Sequence, residues 1–145
     1  MDLGCGSGNT GSELSRETCQ SYTGVDVSAV AIEKAKLRSR LNQRTLNEYL
    51  CCDIETFLPR RSYDVILFRE SIYYVPILKL KALLQRYSQY LKSNGVFVVR
   101  ICDQRKHGGV INLISRNFQV LESAPVNAGM ILVFSQEHPV EGLPE

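Results

Sequence analysis

No apolar run in this 145-residue sequence approaches the roughly 20 residues that a helix needs to cross a bilayer, so no membrane span is expected. The opening Met1-Asp2-Leu3-Gly4 lacks the basic start and apolar stretch of a secretory leader. Its five cysteines (Cys5, Cys19, Cys51, Cys52 and Cys102) are odd in number and show no CxxC spacing. That argues against a disulfide framework and against a bound metal, and reduced thiols in the cytoplasm are the expectation. An excess of one charge is missing too: 17 Lys and Arg stand against 15 Asp and Glu, a formal net charge of +2. This balance gives no reason to expect nucleic acid or an anionic membrane as a partner. No repeat, low-complexity tract or Gly/Ser/Pro-rich linker divides the chain. One domain over residues 1–136 is expected, followed by a loose tail over 137–145 that carries His138, Pro139 and Pro144.

What is present is the composition of a folded domain, 44% hydrophobic and 22% charged. Tyr22 to Val27 reads as a strand that opens onto Ser28, a good N-cap for a helix from about Ala29 to Asn42. Tyr49 to Cys52 reads as a short strand ending at Asp53. Asp64 to Phe68 and Val96 to Val99 are nearly continuous apolar runs, as strands of a parallel sheet buried on both faces require. Between them Ile77, Leu80, Leu84, Tyr87 and Leu91 recur in steps of three and four, one stripe of a helix that starts near Pro76 and stops at Asn94-Gly95. Val110 to Arg116 predicts another helix. Phe118 to Ser123 and Met130 to Ser135 lie too close in sequence for a helical crossover and predict an antiparallel hairpin. Alternating strands and helices with a terminal hairpin define a three-layer α/β domain on a mostly parallel sheet. Ligands of such sheets bind beyond the carboxyl ends of the strands, near the switch point of strand order.

The motifs fall at those ends. Gly4-Cys5-Gly6-Ser7-Gly8 places glycine at every second position, which lets the backbone take positive φ and approach a ligand closely. Asp26 ends the next strand, where a carboxylate can accept from two ribose hydroxyls. The third glycine comes one residue too early for the dinucleotide pattern, and no Lys or Arg precedes Arg16. A nucleoside without phosphates explains both features.

At this point the chain resembles the class I S-adenosylmethionine-dependent methyltransferases. The resemblance rests on Asp2-Leu-Gly-Cys-Gly-Ser-Gly8, Gly24-Val-Asp-Val-Ser28, Cys52-Asp53-Ile54, Tyr63-Asp-Val-Ile-Leu-Phe68 and Leu91-Lys-Ser-Asn-Gly-Val-Phe97, in the family's order and spacing. It implies a Rossmann-like seven-stranded sheet with S-adenosylmethionine as cofactor. By the same resemblance Gly4, Cys5, Gly6 and Gly8 wrap the methionine part, with Asp2 near its ammonium group. Asp26 takes the ribose, Val27 lies against the adenine, Asp53 accepts from the 6-amino group and the Ile54 backbone serves a ring nitrogen. Phe68 and Arg69 line the sulfonium end, with the Arg69 side chain turned away because a sulfonium tolerates no nearby cation. Members of the family carry a helix and several strand residues ahead of the glycine loop, so here the cap and most of the first strand are expected to be missing.

Methyl transfer from a sulfonium is a displacement that needs alignment first, and a base only where the acceptor must lose a proton. Glu70 and Tyr73, just past Phe68, are the candidate catalytic residues, able to orient an amine or hydroxyl. Tyr73 and Tyr74 could instead wall the pocket, and His107 is a further candidate base. The Asn-Pro-Pro-Tyr block of amide and adenine methylation is absent. Lys34, Lys36, Arg38, Arg40 and Arg44 read as a solvated face of the second helix, and Cys52 and Cys102 as small buried hydrophobes. The expected function is methyl transfer to N or O of a small molecule, with a homodimer or an activating subunit as the alternatives for a protein partner. The alternative is an inactive or partner-dependent cofactor-binding relative.

Overall fold

The computed structural model describes residues 1–136; the expected tail and His138 lie outside the described residues. In chain order the elements are β1 (Asp2–Leu3), α1 (Asn9–Glu13), β2 (Tyr22–Asp26), α2 (Ala29–Leu41), β3 (Asn47–Cys51) and β4 (Tyr63–Arg69). After a single 3-10 turn (Ile72–Tyr74) come α3 (Ile77–Ser88), β5 (Leu91–Ile101), α4 (Gly108–Asn117), β6 (Gln119–Val126) and β7 (Gly129–Ser135). The seven strands form one sheet in the order β3-β2-β1-β4-β5-β7-β6. Pairings from β3 through β5 are parallel, and β7 is antiparallel to both β5 and β6.

Strand order reverses between β1 and β4, so the loops leaving those two strands diverge and open a crevice at their carboxyl ends. β1 is two residues long but sits at the centre of the sheet, pairing Asp2 with Gly24 on one side and with Leu67 on the other. The Leu67 amide also donates to the Met1 carbonyl at 2.8 Å.

Two apolar clusters hold the helices to the sheet. The larger joins Leu3, Ile66, Phe68, Phe97, Val99 and Phe134 of the strands to Leu80, Leu84 and Tyr87 of α3 and Val110 and Ile114 of α4. The smaller joins Tyr22 and Tyr49 to Cys5 and to Ile32 and Ala35 of α2. Each fully buried aliphatic or aromatic side chain stabilises the fold by roughly 1.5–3 kcal/mol, so the larger cluster dominates.

Four expectations are corrected. Asn94-Gly95 does not stop α3, which ends at Ser88; it lies inside β5, and Leu91 therefore belongs to a strand. Between Tyr63 and Val65 the pairing with β5 jumps from Leu91 to Val96, so residues 92–95 bulge, and a Cβ on Gly95 would sit 2.9 Å from the Tyr63 carbonyl oxygen. Ile77 is half-exposed rather than part of the buried stripe. Arg44 is not on α2 and not solvated: it follows the helix, is 7% exposed, and donates to the Cys19 carbonyl at 3.1 Å. Cys52 and Cys102 sit at strand ends as expected but are exposed, because the chain leaves the sheet there.

Candidate functional site

The loop Gly4–Gly8 leaves β1 and turns into α1 within five residues. Gly4, Gly6 and Gly8 have φ of 84°, 53° and 76°, the left-handed region that costs other residues free energy. Two of the three are also held by packing. A Cβ on Gly4 would meet the Ser71 Cβ at 2.4 Å, and one on Gly8 would meet the Ala35 Cβ at 2.8 Å. A Cβ on Gly6 would meet no protein atom within 4 Å. Gly6 therefore leaves a bare stretch of backbone facing open space.

Asp26, the last residue of β2, points back at this loop. Its Oδ2 accepts from the Gly6 amide at 2.9 Å and its Oδ1 from the Ser28 amide at 2.9 Å. A carboxylate offers about four acceptor positions, so each oxygen keeps one for a further donor such as a hydroxyl. Ser28 caps α2 through its own hydroxyl, accepting from the Ala31 amide at 3.2 Å.

Asp53 follows β3 and starts a tight turn, with Oδ1 accepting from the Glu55 amide at 2.8 Å. Its other oxygen is uncommitted, and among the described residues no group accepts from the Ile54 amide. Past β4, Ser71 donates its hydroxyl to the Leu3 carbonyl and locks the two diverging loops together. Gly4, Asp26, Val27, Asp53, Ile54, Glu55, Glu70, Ser71, Tyr74 and Val75 thereby line one cavity of about 420 Å³. That lining holds four carboxylates and no lysine or arginine. Glu55 is paired with Lys79 at 2.6 Å and Glu70 with Arg100 at 2.5 Å, which leaves Asp26 and Asp53 as the uncompensated negative charges. Such a cavity suits a ligand with hydroxyl and amino donors and a positive charge.

Not every expected site residue reaches this cavity. Phe68 is fully buried in the larger apolar cluster and faces the helices. Glu70 and Ser71 line the cavity in its place, because β4 ends at Arg69 and only residues beyond the strand's carboxyl end reach the crevice. Arg69 is turned away: it donates to the Thr10 hydroxyl at 3.1 Å and lies 3.6 Å from the Glu13 carboxylate on α1. Cys5 is buried against Tyr22 and Tyr49. Asp2 is 1% exposed and sits beneath the loop, outside the cavity lining. Its Oδ2 accepts from the Tyr22 hydroxyl, its Oδ1 has no partner, and burial pushes its pKa up to about 6.

Glu70 has a φ of 58°, an uncommon conformation for a side-chain-bearing residue. Its Oε1 accepts from Arg100, and its Oε2 accepts from the Tyr73 hydroxyl at 3.0 Å and the Cys102 amide at 2.8 Å. The Tyr73 ring stacks on His107 with centroids 4.0 Å apart and planes 10° apart. Burial, and then the bond to Glu70, push the Tyr73 pKa above its ordinary value, so the phenol remains a donor. Tyr74 turns instead onto the cavity. Of the residues expected from the sequence, Gly4, Asp26, Val27, Asp53 and Ile54 line the cavity; Ser71 and Val75 carry no signal in the sequence, since their places depend on how the loop after β4 closes.

Gly4 of the glycine elbow, the acid at the end of β2 and the acidic turn after β3 line one nucleoside-sized, cation-tolerant cavity on a Rossmann-like sheet, with Gly6 and Gly8 beside it in the loop. That defines a nucleoside-cofactor-binding α/β domain. The chain belongs to the methyltransferase domain family, which it matches over residues 1–130. It is 35% identical over 134 residues to a ubiquinone biosynthesis O-methyltransferase of Rhodopseudomonas palustris, covering 91% of this chain and 46% of that protein. It is 27% identical over 151 residues to the N-terminal Xaa-Pro-Lys N-methyltransferase 1 of Rattus norvegicus, covering 100% of this chain and 66% of that protein. The chain thus spans about half the length of the curated O-methyltransferases it matches. In fold it is similar to the PH0226 protein of Pyrococcus horikoshii (TM-score 0.81, 20% identity, 94% of this chain and 80% of that one). It is also similar to the N-methyltransferase NodS of Bradyrhizobium japonicum bound to S-adenosylhomocysteine (TM-score 0.76, 19% identity, 94% and 76%).

S-adenosylmethionine is the cofactor of this class, and the residues present fit it. Open space over Gly6, spare acceptor positions on Asp26 and Asp53, and a cation-free lining each match part of that molecule. Among the described residues no group of three or more His, Cys, Asp and Glu is placed to hold a metal, and no helix is long and apolar enough to cross a membrane.

Proposed function

We propose that this chain is the catalytic domain of an S-adenosylmethionine-dependent methyltransferase that methylates an oxygen or nitrogen of a small molecule. The observation that carries the reading is the single cavity in which Gly4, Asp26, Val27, Asp53 and Ile54 meet Glu70 and Tyr74. Its volume of about 420 Å³ lies in the range of small-molecule sites. Asp26 binds the ribose hydroxyls, the Asp53 carboxylate and Ile54 amide read the adenine edge, and Val27 packs on its face. Gly4 and Gly6 let the backbone run along the methionine part. When bound, the cofactor supplies a methyl group on a sulfonium, a carbon already carrying its leaving group.

What the chain adds is alignment and proton control. Both Glu70 oxygens are committed to Arg100, Tyr73 and the Cys102 amide, so Glu70 shapes the rim and does not act as a free base. The Tyr73 hydroxyl orients an acceptor oxygen or nitrogen. No side-chain hydrogen bond among the described residues holds the His107 imidazole, which lies against Tyr73 and is the group left to take a proton. An oxygen acceptor is favoured by the ubiquinone biosynthesis O-methyltransferases matched at 30–35% identity. The N-terminal N-methyltransferases keep nitrogen in the reading. The five cysteines, all free, suit a reducing compartment such as the cytoplasm.

The test has two arms. Calorimetry with S-adenosylhomocysteine on the folded wild type and on Asp26→Ala should show binding that the variant weakens; no heat with the wild type removes cofactor binding. Mass spectrometry of phenol, catechol and amine panels incubated with chain and cofactor should show a gain of one methyl. Binding without any methylated product points to the inactive or partner-dependent relative.

A further inference from the structure

The turn over Asp53–Glu55 forms one wall of the cavity, yet its own bonds fix only its shape. Asp53 Oδ1 accepts from the Glu55 amide at 2.8 Å, and the Asp53 carbonyl accepts from the Thr56 and Phe57 amides at 3.1 and 2.8 Å. None of these bonds ties the turn to the rest of the domain. That attachment comes from α3. Arg86 donates from Nη2 to the Ile54 carbonyl at 2.9 Å and from Nη1 to the Glu55 carbonyl at 2.5 Å. The Tyr87 hydroxyl donates to the same Ile54 carbonyl at 2.7 Å.

Both lone pairs of the Ile54 carbonyl are therefore taken, and two successive peptide groups are held by adjacent residues of one helix. Bonds from a guanidinium are the stronger, charge-assisted kind, and its fork fixes direction as well as distance. The donors are themselves rigid. Tyr87 is fully buried in the larger apolar cluster, and the Arg86 guanidinium lies 5.0 Å from the centre of its ring. Lys79, two turns earlier on α3, pairs with the Glu55 carboxylate at 2.6 Å. The opposite wall belongs to α3 as well, because Tyr74 and Val75 lead into the helix through Pro76. One helix therefore sets the gap between the two walls.

We propose that Arg86 and Tyr87 are positioning residues for the base-reading end of the site. Through the Ile54 and Glu55 carbonyls they hold the Asp53 carboxylate and the Ile54 amide at the spacing that distinguishes a 6-amino purine from a 6-oxo one. The proposal rests on the nucleoside reading of the cavity and adds the residues that set its base preference. Neither residue lines the cavity, so the effect must appear as selectivity and not as loss of a contact.

The experiment titrates the whole chain by calorimetry with S-adenosylhomocysteine and with S-inosylhomocysteine, for wild type, Tyr87→Phe, Arg86→Lys and Lys81→Ala. Tyr87→Phe removes one oxygen from a packed ring, and Arg86→Lys keeps the charge but reaches only one carbonyl. The wild type should prefer the adenine ligand, and that preference should fall about tenfold in each of the first two variants, the size of one net hydrogen bond. Lys81→Ala, which trims an exposed side chain of the same helix away from the turn, should leave the preference within about twofold. A purely structural role would weaken both ligands equally and leave the ratio untouched, which overturns the proposal; so does a wild type that binds both ligands alike. A wild type that binds neither ligand overturns the cavity reading itself, a distinguishable failure.

Discussion

The Asp26 carboxylate at the end of β2 accepts the Gly6 amide of the loop after β1 at 2.9 Å, so acid and glycine elbow are already one unit without a ligand. Asp26 thereby has two duties, bracing the loop and receiving hydroxyls. Asp26→Asn separates them, because one amide oxygen can serve Gly6 or Ser28 but the amide nitrogen accepts nothing. We expect unfolding free energy to fall by about 1 kcal/mol and S-adenosylhomocysteine affinity to fall at least about tenfold, since bonds to a charged group are worth roughly 1.5–3 kcal/mol each. Denaturation and calorimetry on the same preparation measure both. Unchanged affinity would show that Asp26 only braces the loop.

Gly4 and Gly6 share the left-handed backbone but not the surroundings, and alanine distinguishes them. At Gly4 the new Cβ would press on Ser71, whose hydroxyl ties the loop after β4 to the Leu3 carbonyl. Gly4→Ala should cost about 2–4 kcal/mol of stability, the combined weight of overpacking and backbone strain. Gly6→Ala meets open space and should cost only about 1–2 kcal/mol, the backbone penalty alone, yet weaken the cofactor because the methyl enters its path. Thermal unfolding with and without S-adenosylhomocysteine gives both readings. A Gly6→Ala chain that binds as the wild type does would place the ligand elsewhere.

Much of this architecture is legible in the sequence because its signals are local. Alternation of apolar runs with helical stripes gives the strands and the parallel core, and turn spacing gives the hairpin. Glycines at every second position and an acid at a strand end mark the site, since each answers to backbone geometry at its own position. What escapes is what depends on closure. Asn94-Gly95 looks like a helix stop, but β5 begins earlier and absorbs it in a bulge opposite Tyr63. Phe68 looks like a site residue by place in the motif, yet it still lies inside β4 and is buried in the core. Arg44 looks solvated by composition but folds under the loop to reach the Cys19 carbonyl. Ser71 becomes important only because the loop after β4 meets the one after β1.

Asp2 offers a pH test. Burial raises its pKa from the ordinary 3.8 to about 6, so the folded chain holds this proton more tightly than the unfolded chain does. The stability from that proton is complete below about pH 4 and is lost as pH rises toward about 6, above which the cost is constant. The gap corresponds to about 3 kcal/mol at most. Asp2→Asn can still accept from Tyr22 but never becomes charged. It should therefore be the more stable chain at pH 8, with the difference vanishing near pH 4 in urea titrations. Equal stability at both pH values would mean that the buried carboxylate stays charged at little cost.

Tyr73 is the point where structure and chemistry are separated most cleanly. Its hydroxyl donates to Glu70 Oε2, an oxygen that keeps a second bond from the Cys102 amide, so Tyr73→Phe leaves no buried acceptor empty. The ring still stacks on His107, and stability should change by less than about 1 kcal/mol. Because Tyr73 lies outside the cavity lining, S-adenosylhomocysteine affinity should also stay within about twofold of wild type. If the phenol orients the acceptor, kcat/KM for methyl transfer should nevertheless drop by about 10- to 100-fold, the loss of one aligning hydrogen bond in the transition state. Glu70→Gln behaves differently, since it weakens the ion pair with Arg100 and the hold on the Cys102 amide together. It should lower stability and turnover in parallel. A Tyr73→Phe chain with wild-type kcat/KM would reduce Tyr73 to a wall of the rim and leave His107 to be tested alone, by His107→Ala.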